Sequence, residues 1–350
     1  METEEIKLTQ YARSAGCGCK IAPAVLEQIL INSKEKNLAQ DHLLVANSSN
    51  DDASVYDLQN GYALLQTADF FMPIVDDAYT FGRVAAANAL SDVYAMGGKP
   101  ITAIALLGWP IDKLPASLAA NVMEGAKHSC AEAGIVISGG HTIDSAEPFF
   151  GLSVNGLTPI DNIKRNSTAK LGDVLLLSKP IGVGILATAQ KRGVLEPQHQ
   201  QILIDQLCTL NTIGEFFGSQ KSIQAMTDVT GFGLMGHAIE MAEGAGLSVA
   251  IESKLVPVLD EAKYYIDKNI VPDATFRNWN AYSPKTFIEQ SVDPKISFSV
   301  FPDPQTNGGL LLAVASEQVD ELMTESEKQG VRLSVIGKFV EEGEKVLVIS

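Results

Sequence analysis

Residues 81–100 read FGRVAAANALSDVYAMGGKP, and this stretch decides how the first half of the chain folds. Alanine is the strongest helix former because it loses no side-chain freedom, so the spacing predicts a helix from about Phe81 to Met96. Gly97 and Gly98 end it, glycine being the residue that most easily takes a left-handed turn. Runs of β-forming residues lie on both sides: LLVA (43–46), ASVY (53–56) and YALLQT (62–67) before it, ITAIALL (101–107) after. A second helix from about Pro115 to Ala133, closed by Gly134, and the strands IVIS (135–138) and FFGLSVNGL (149–157) complete a first α+β half.

The polar segment TPIDNIKRNSTAKLGD (158–173) holds few large apolar residues and reads as a domain boundary. A second α+β half follows. It contains the strands VLLLS (174–178), LSVAI (247–251) and LLLAV (310–314), with helices near 182–192 and 198–217 and a Gly-rich helix start at 230. Residues 1–48 form an N-terminal arm with a short amphipathic helix from Pro23 to about Ile31, carrying Val25, Leu26, Ile29 and Leu30 on one face. The expected division is 1–48 arm, 49–160 first domain and 161–350 second domain.

Composition narrows the function. A chain of 350 residues with 46% hydrophobic and 19% charged content exceeds a single core and implies two. A net charge of −16 opposes attraction to nucleic acid and to anionic membranes, so an anionic substrate needs metal cations. The opening METEEIKLTQ lacks the basic and apolar regions of a secretory signal, and the apolar run Ile101–Leu107 is far too short to span a bilayer. A cytoplasmic location is expected. Four cysteines in so long a chain make no disulfide framework, and reduced thiols are the default.

Several constellations carry chemistry. In Gly16-Cys17-Gly18-Cys19-Lys20, small residues flank two thiols and an amine, and the ammonium lowers the cost of forming a thiolate from its usual pKa of about 8.5. The same segment also reads as a flexible loop with incidental cysteines or as a soft-metal clip; structural zinc wants four ligands and finds two thiols locally. Asp51, Asp52, Asp69, Asp92 and Asp228 sit in loops or at element ends. Each alone reads as a turn residue or a solvated charge. Asp69 and Asp92, however, lie in apolar surroundings, where a carboxylate is costly unless paired or bound to a cation, and oxygen ligands favour Mg²⁺. Ser138-Gly139-Gly140-His141-Thr142 follows a short apolar strand and reads either as an anion-binding turn or as an ordinary tight one. Gly231-Phe232-Gly233-Leu234-Met235-Gly236 matches the dinucleotide spacing, but no apolar strand feeds its first glycine, and Asp228 would face any pyrophosphate. A helix start capped by Thr230, with Asp228 on a metal, fits better. No P-loop and no protein-kinase catalytic motif occurs.

Taken together, LTQYARSAGCGCK (8–20), DDASVYDL (51–58), TADFFMPIVDD (67–77), FGRVAAANALSDVYAMGGKP, ALLGWP (105–110), SGGHTID (138–144), AMTDVTGFGLMGH (225–237) and DPQTNGG (303–309) resemble the selenophosphate synthetase family over nearly the whole chain. The GCGCK block separates that family from the aminoimidazole ribonucleotide synthetases and thiamine monophosphate kinases, which share two α+β domains. The resemblance implies the reaction of ATP, selenide and water to selenophosphate, phosphate and AMP. It also implies a homodimer whose first domains pair their sheets. By matching positions, Cys17 would handle selenium and Lys20 act on the phosphates, while Asp52, Asp92 and Asp228 would hold Mg²⁺, more than one ion. Lys20, Ser49, Asn50, Asp51, Asp69, Asp92, Gly140, His141 and Thr142 would contact the nucleotide. A K⁺ requirement and a selenium-delivery partner follow from the resemblance alone. The alternative is a related ATP-dependent kinase or ligase for another small metabolite. Asn307 stands where serine is common in the family's DPQT-x-GG turn, with no loss of activity expected.

Overall fold

The computed structural model describes residues 6–13, 15–21, 25, 28–29, 41–46 and 51–350. Most of the expected helix from Pro23 to Ile31, and the expected nucleotide contacts Ser49 and Asn50, lie outside the described residues.

The first half is a six-stranded sheet in the order β1-β2-β3-β6-β4-β5, formed by Leu43–Val45 (β1), Ser54–Asp57 (β2), Tyr62–Phe71 (β3), Lys99–Trp109 (β4), Ile137–Asp144 (β5) and Phe149–Pro159 (β6). The alanine-rich stretch forms helix α1, Ala78–Ala95, whose start is capped where the Asp77 carboxylate accepts from the Thr80 N–H. Helix α2, Ala116–Glu132, packs beside it. Both helices cover one face of the sheet. Strand alternation sends Ala63, Leu65 and Phe71 of β3 toward them.

In the second half a seven-stranded sheet runs β10-β13-β9-β12-β7-β11-β8, from Val174–Leu177 (β7), Ile223–Asp228 (β8), Ser248–Ile251 (β9), Thr286–Ile288 (β10), Leu310–Val314 (β11), Ser334–Val340 (β12) and Leu347–Ile349 (β13). LLLAV is apolar throughout because both its faces are covered. Leu311 and Ala313 pack with Leu234 and Ile239 of helix α3, Gly233–Ala245, whereas Leu310, Leu312 and Val314 pack with Phe217 and with Ala95 of α1. Helix α1 is thus shared by both domains, and its C-terminal half lies on the seam.

Three local expectations change. Ser138-Gly139-Gly140-His141-Thr142 is no turn: β5 continues through it as an exposed edge strand, with a register shift at Ser138. The glycines serve close strand packing instead, since a Cβ at Gly140 would stand 2.4 Å from the Ala105 carbonyl oxygen of the parallel neighbour β4. The helix expected at 198–217 breaks in two, Pro197–Cys208 and Ile213–Ser219. Thr230 does not cap α3, because Gly233 at φ +70° prolongs the turn by two residues and leaves Phe232 at the cap position without a side-chain bond. The Thr230 N–H donates instead to His237 Nε2 at 3.1 Å, and burial pushes that imidazole down to about 3, which keeps it a neutral acceptor.

Candidate active site between the two domains

Asn88, Ser91 and Asp92 are three and four residues apart on α1 and therefore share one face. That face meets β3, where Thr67 and Asp69 alternate onto the same side. The Thr67 hydroxyl donates to Asp92 Oδ2 at 2.5 Å, and Asn88 Nδ2 donates to Asp69 Oδ2. From the second domain, the end of β8 brings Thr227 and Asp228. Ser91 donates to Asp228 Oδ2, Asn211 Nδ2 donates to Ser91 Oγ at 2.8 Å, and Thr227 donates to Asp52 Oδ1 at 2.9 Å. Asp51 accepts the Asn166 N–H at 2.8 Å. The seam between the domains therefore collects carboxylates from four separate segments.

Their electrostatics show how close they stand. Burial, and then Asp228 and Asp92, push Asp52 well above the usual carboxylate range; burial, Asp228 and Asp69 do the same to Asp92. Asp228 is also raised by burial, against which the Ser91 hydroxyl and Lys20 work. Like charges packed in a dry seam are unfavourable on their own.

The cysteine loop lies over this seam. Cys17 is 1% exposed; its N–H donates to Thr306 Oγ1 at 3.0 Å, and its thiol donates to Asn88 Oδ1 at 3.3 Å. The sequence suggested a thiolate eased by Lys20. In this docked arrangement burial and then the Asp69 charge push the thiol well up, and Lys20 offsets only part of that. Lys20 keeps solvent access while standing among the acids. Burial alone would lower its pKa, but Asp69, Cys17, Asp92 and Asp228 together hold it above the ordinary lysine value. The recess lined by Cys17, Gly18, Lys20, Gly231, Phe232, Arg277 and Asn278 is about 10 Å³, near the size of one water, so the loop is seated closed. The larger cavity, about 440 Å³, is lined by Arg83, Glu132, Asp205 and Cys208 and includes none of the acids of the seam.

Not every residue singled out in the sequence converges. Cys17, Lys20, Asp52, Asp69, Asp92 and Asp228 do. Gly140 lies in register with Asp69 through Leu152 and Ala105, three strand spacings or about 14 Å away across the sheet. His141 and Thr142 share that outer edge. Sequence reading missed Asn88, Ser91, Thr67, Thr227 and Thr306 as partners; only the helical spacing of Asn88, Ser91 and Asp92 gave a signal.

Mg²⁺ can be tested against this set. Among the described residues no group of three acidic, histidine or cysteine side chains stands close enough to hold a metal ion by itself. The donor set nonetheless fits a hard cation completed by phosphate oxygens: three carboxylates converge, and Asp52 Oδ2 is buried with no hydrogen-bond partner.

The turn Asp303–Gly309 braces the loop from below. Asn307 takes φ +50°, its N–H donates to Asn88 Oδ1 at 2.6 Å, and its Nδ2 donates to the Leu207 and Thr209 carbonyls, each at 2.8 Å. Lys179, pushed down to about 7 by burial, donates to the Asn307 and Thr209 carbonyls. In Asn307→Ser the backbone bond to Asn88 survives, so turnover is expected to hold. Two side-chain bonds are lost and serine tolerates positive φ less well, so unfolding free energy should drop by about 1–2 kcal/mol in a urea melt.

Comparison with known proteins agrees with this architecture. Residues 50–158 match the family model "AIR synthase related protein, N-terminal domain", and residues 170–350 match the corresponding C-terminal domain. Among solved structures, thiamine monophosphate kinase from Aquifex aeolicus superposes with a TM-score of 0.68 at 19% identity, covering 93% of this chain and 96% of that one. Hydrogenase maturation protein HypE in complex with ATP gives 0.63 at 18%, covering 98% and 93%. At such identities the likeness is one of fold. Fold and site together define a two-domain protein of the AIR synthase-related class. The selenide, water dikinase of Aeromonas hydrophila is 52% identical over 334 residues, 95% of both chains, and that of Escherichia coli is 47% identical over 340 residues, 97% of this chain and 96% of its own. The chain belongs to the selenide, water dikinase family.

Proposed function

We propose that this chain phosphorylates selenide with ATP, releasing selenophosphate, and hydrolyses the remaining ADP to AMP and phosphate. One observation carries the reading: a cysteine and a lysine from the arm are seated over carboxylates gathered from both domains. An acidic seam repels a triphosphate by roughly 4 kcal/mol per charge pair at 4 Å and an effective dielectric of 20, so it suits a nucleotide only with cations between them. Asp52, Asp92 and Asp228 would hold Mg²⁺, which when bound neutralises phosphate charge and orients the chain of phosphoryl groups. The residues supply the rest. Lys20 binds phosphate oxygens, Asp69 and Asp51 orient the nucleotide, Cys17 handles selenium, and the closed loop keeps bulk water out of the first transfer. A K⁺ requirement and a protein that delivers selenium belong to the same reading, as does a cytoplasmic site of action; no helix among the described residues is long and apolar enough to cross a membrane.

The enzyme works as a homodimer in this reading. Among the described residues the face of the first sheet away from α1 and α2 is uncovered and apolar, with Phe70, Ile104 and Ile143 exposed and Phe149 against Phe70 at 5.6 Å between ring centroids. Gly140, His141 and Thr142 on the β5 edge would then reach the nucleotide of the second copy. Ile104→Asp places a charge in the middle of that face and is expected to yield monomers in sedimentation velocity. A variant that still sediments as a dimer removes the sheet pairing.

The nucleotide product tests the reaction. AMP formed only in the presence of selenide is expected; ADP as the end product with another acceptor would favour a related kinase.

A further inference from the structure

The DPQTNGG turn has no part in the reaction just described, yet its contacts converge on the reactive loop. Three groups of the second domain hydrogen-bond to residues 12–18 of the arm among the described residues. Lys191 Nζ donates to the Ala12 carbonyl at 2.8 Å, Arg277 donates to the Gly18 carbonyl, and the turn reaches Cys17 itself. Thr306 is 2% exposed, and its Oγ1 accepts the Cys17 N–H at 3.0 Å. The next residue along, Asn307, sends its N–H to the same Asn88 oxygen that accepts the Cys17 thiol. The turn therefore holds the cysteine at both ends, the main chain directly and the sulfur through a shared acceptor.

The fit is close enough to dictate the neighbouring residue. Gly16 has φ +50°, and a Cβ there would stand 2.5 Å from both Thr306 Oγ1 and Ile74 Cδ1. Only glycine lets the loop sit down on the threonine.

We propose that Thr306 is the positioning residue that seats Cys17: its hydroxyl oxygen fixes the Cys17 main chain, so that the thiol lies docked above the carboxylates rather than free in solvent. The role given to Cys17 rests on the proposed function, whereas the docking itself does not.

Alkylation by iodoacetamide of the full-length protein without nucleotide, followed by mass spectrometry of the Cys17 peptide, reads the docking independently of any reaction. Thr306→Val keeps the shape and leaves the Cys17 N–H without an acceptor. It should raise the alkylation rate about tenfold, the weight of one buried hydrogen bond, and lower kcat for selenide-dependent AMP formation by the same order with KM for ATP unchanged. Thr306→Ser restores the oxygen and should return both to wild type. Gly16→Ala blocks the seat from the loop side with the turn intact, and should expose Cys17 equally, which covers the case of Thr306→Val failing to fold. Wild-type alkylation in Thr306→Val or in Gly16→Ala, a serine variant as reactive as the valine one, or unchanged kcat with an exposed thiol each overturns the proposal. Wild-type protein that protects Cys17 but makes no AMP from selenide leaves the docking standing and overturns the function instead.

Discussion

Asp228→Asn is expected to lower ATP turnover about a thousandfold while leaving the protein folded and, without ligands, at least as stable as wild type. The two effects have one cause. Asp228 is 1% exposed and close enough to Asp52 and Asp92 that its charge raises the pKa of both. Asparagine keeps the volume and an oxygen for the Ser91 hydroxyl, so packing and the bond across the seam survive. Removing one charge relieves repulsion among the carboxylates that remain. In the proposed reading the same change also takes away an anion that would hold cations against the phosphates, and losing one preorganised electrostatic group at a transferring centre costs about 10²–10³ in rate. Thermal unfolding alongside AMP release measures both. A variant that loses stability and activity together would make Asp228 a structural residue; one that keeps turnover would remove it from the site.

Cys17→Ala is expected to abolish selenide-dependent AMP formation, by at least about a hundredfold, with ATP affinity little changed. Alanine removes the sulfur and nothing else that holds the loop, because the main-chain bonds from Gly16 N to Met72 O at 3.1 Å and from Cys17 N to Thr306 remain. The loop should still close over the seam. What disappears is the thiol that handles selenium in the proposed reading. Burial and then the Asp69 charge push that thiol up while the loop is docked. Serine should be equally inactive, since its hydroxyl is harder and far less acidic than a thiol. Full activity of Cys17→Ala, read by chromatography of the nucleotides, would withdraw the thiol from the chemistry.

Much of the first domain was legible in the sequence because its signals are local. An alanine-rich run ended by glycines gives α1, and β-branched and aromatic runs give β3 and β4. Local signals also explain the errors. Two adjacent glycines in SGGHT look like a turn until the parallel neighbour is known, since the requirement they meet is the Ala105 carbonyl across the strand pair. Short polar helices such as Asp260–Asp267, Asp273–Tyr282 and Val319–Lys328 carry too little apolar pattern to stand out, and tertiary packing decides them.

The candidate site divides in the same way. Acidic residues in apolar surroundings flag themselves, because an unpaired buried carboxylate is costly. Their partners do not: Ser91 and Asp228 are 137 residues apart, Thr227 and Asp52 are 175 apart, and Cys17 and Thr306 are 289 apart, separations that no local pattern encodes. The DPQTNGG turn was visible as a motif, but its purpose emerged only from the loop resting on it.

Phosphorus NMR of the wild-type protein with ATP, Mg²⁺ and selenide under reducing conditions tests most directly whether a thiol-bearing loop above a carboxylate seam phosphorylates selenium. A new phosphorus resonance split by selenium, growing in step with AMP and orthophosphate and absent without selenide, is the expected result. ATP conversion to ADP at the same rate with and without selenide, and no phosphorus–selenium signal, would contradict it.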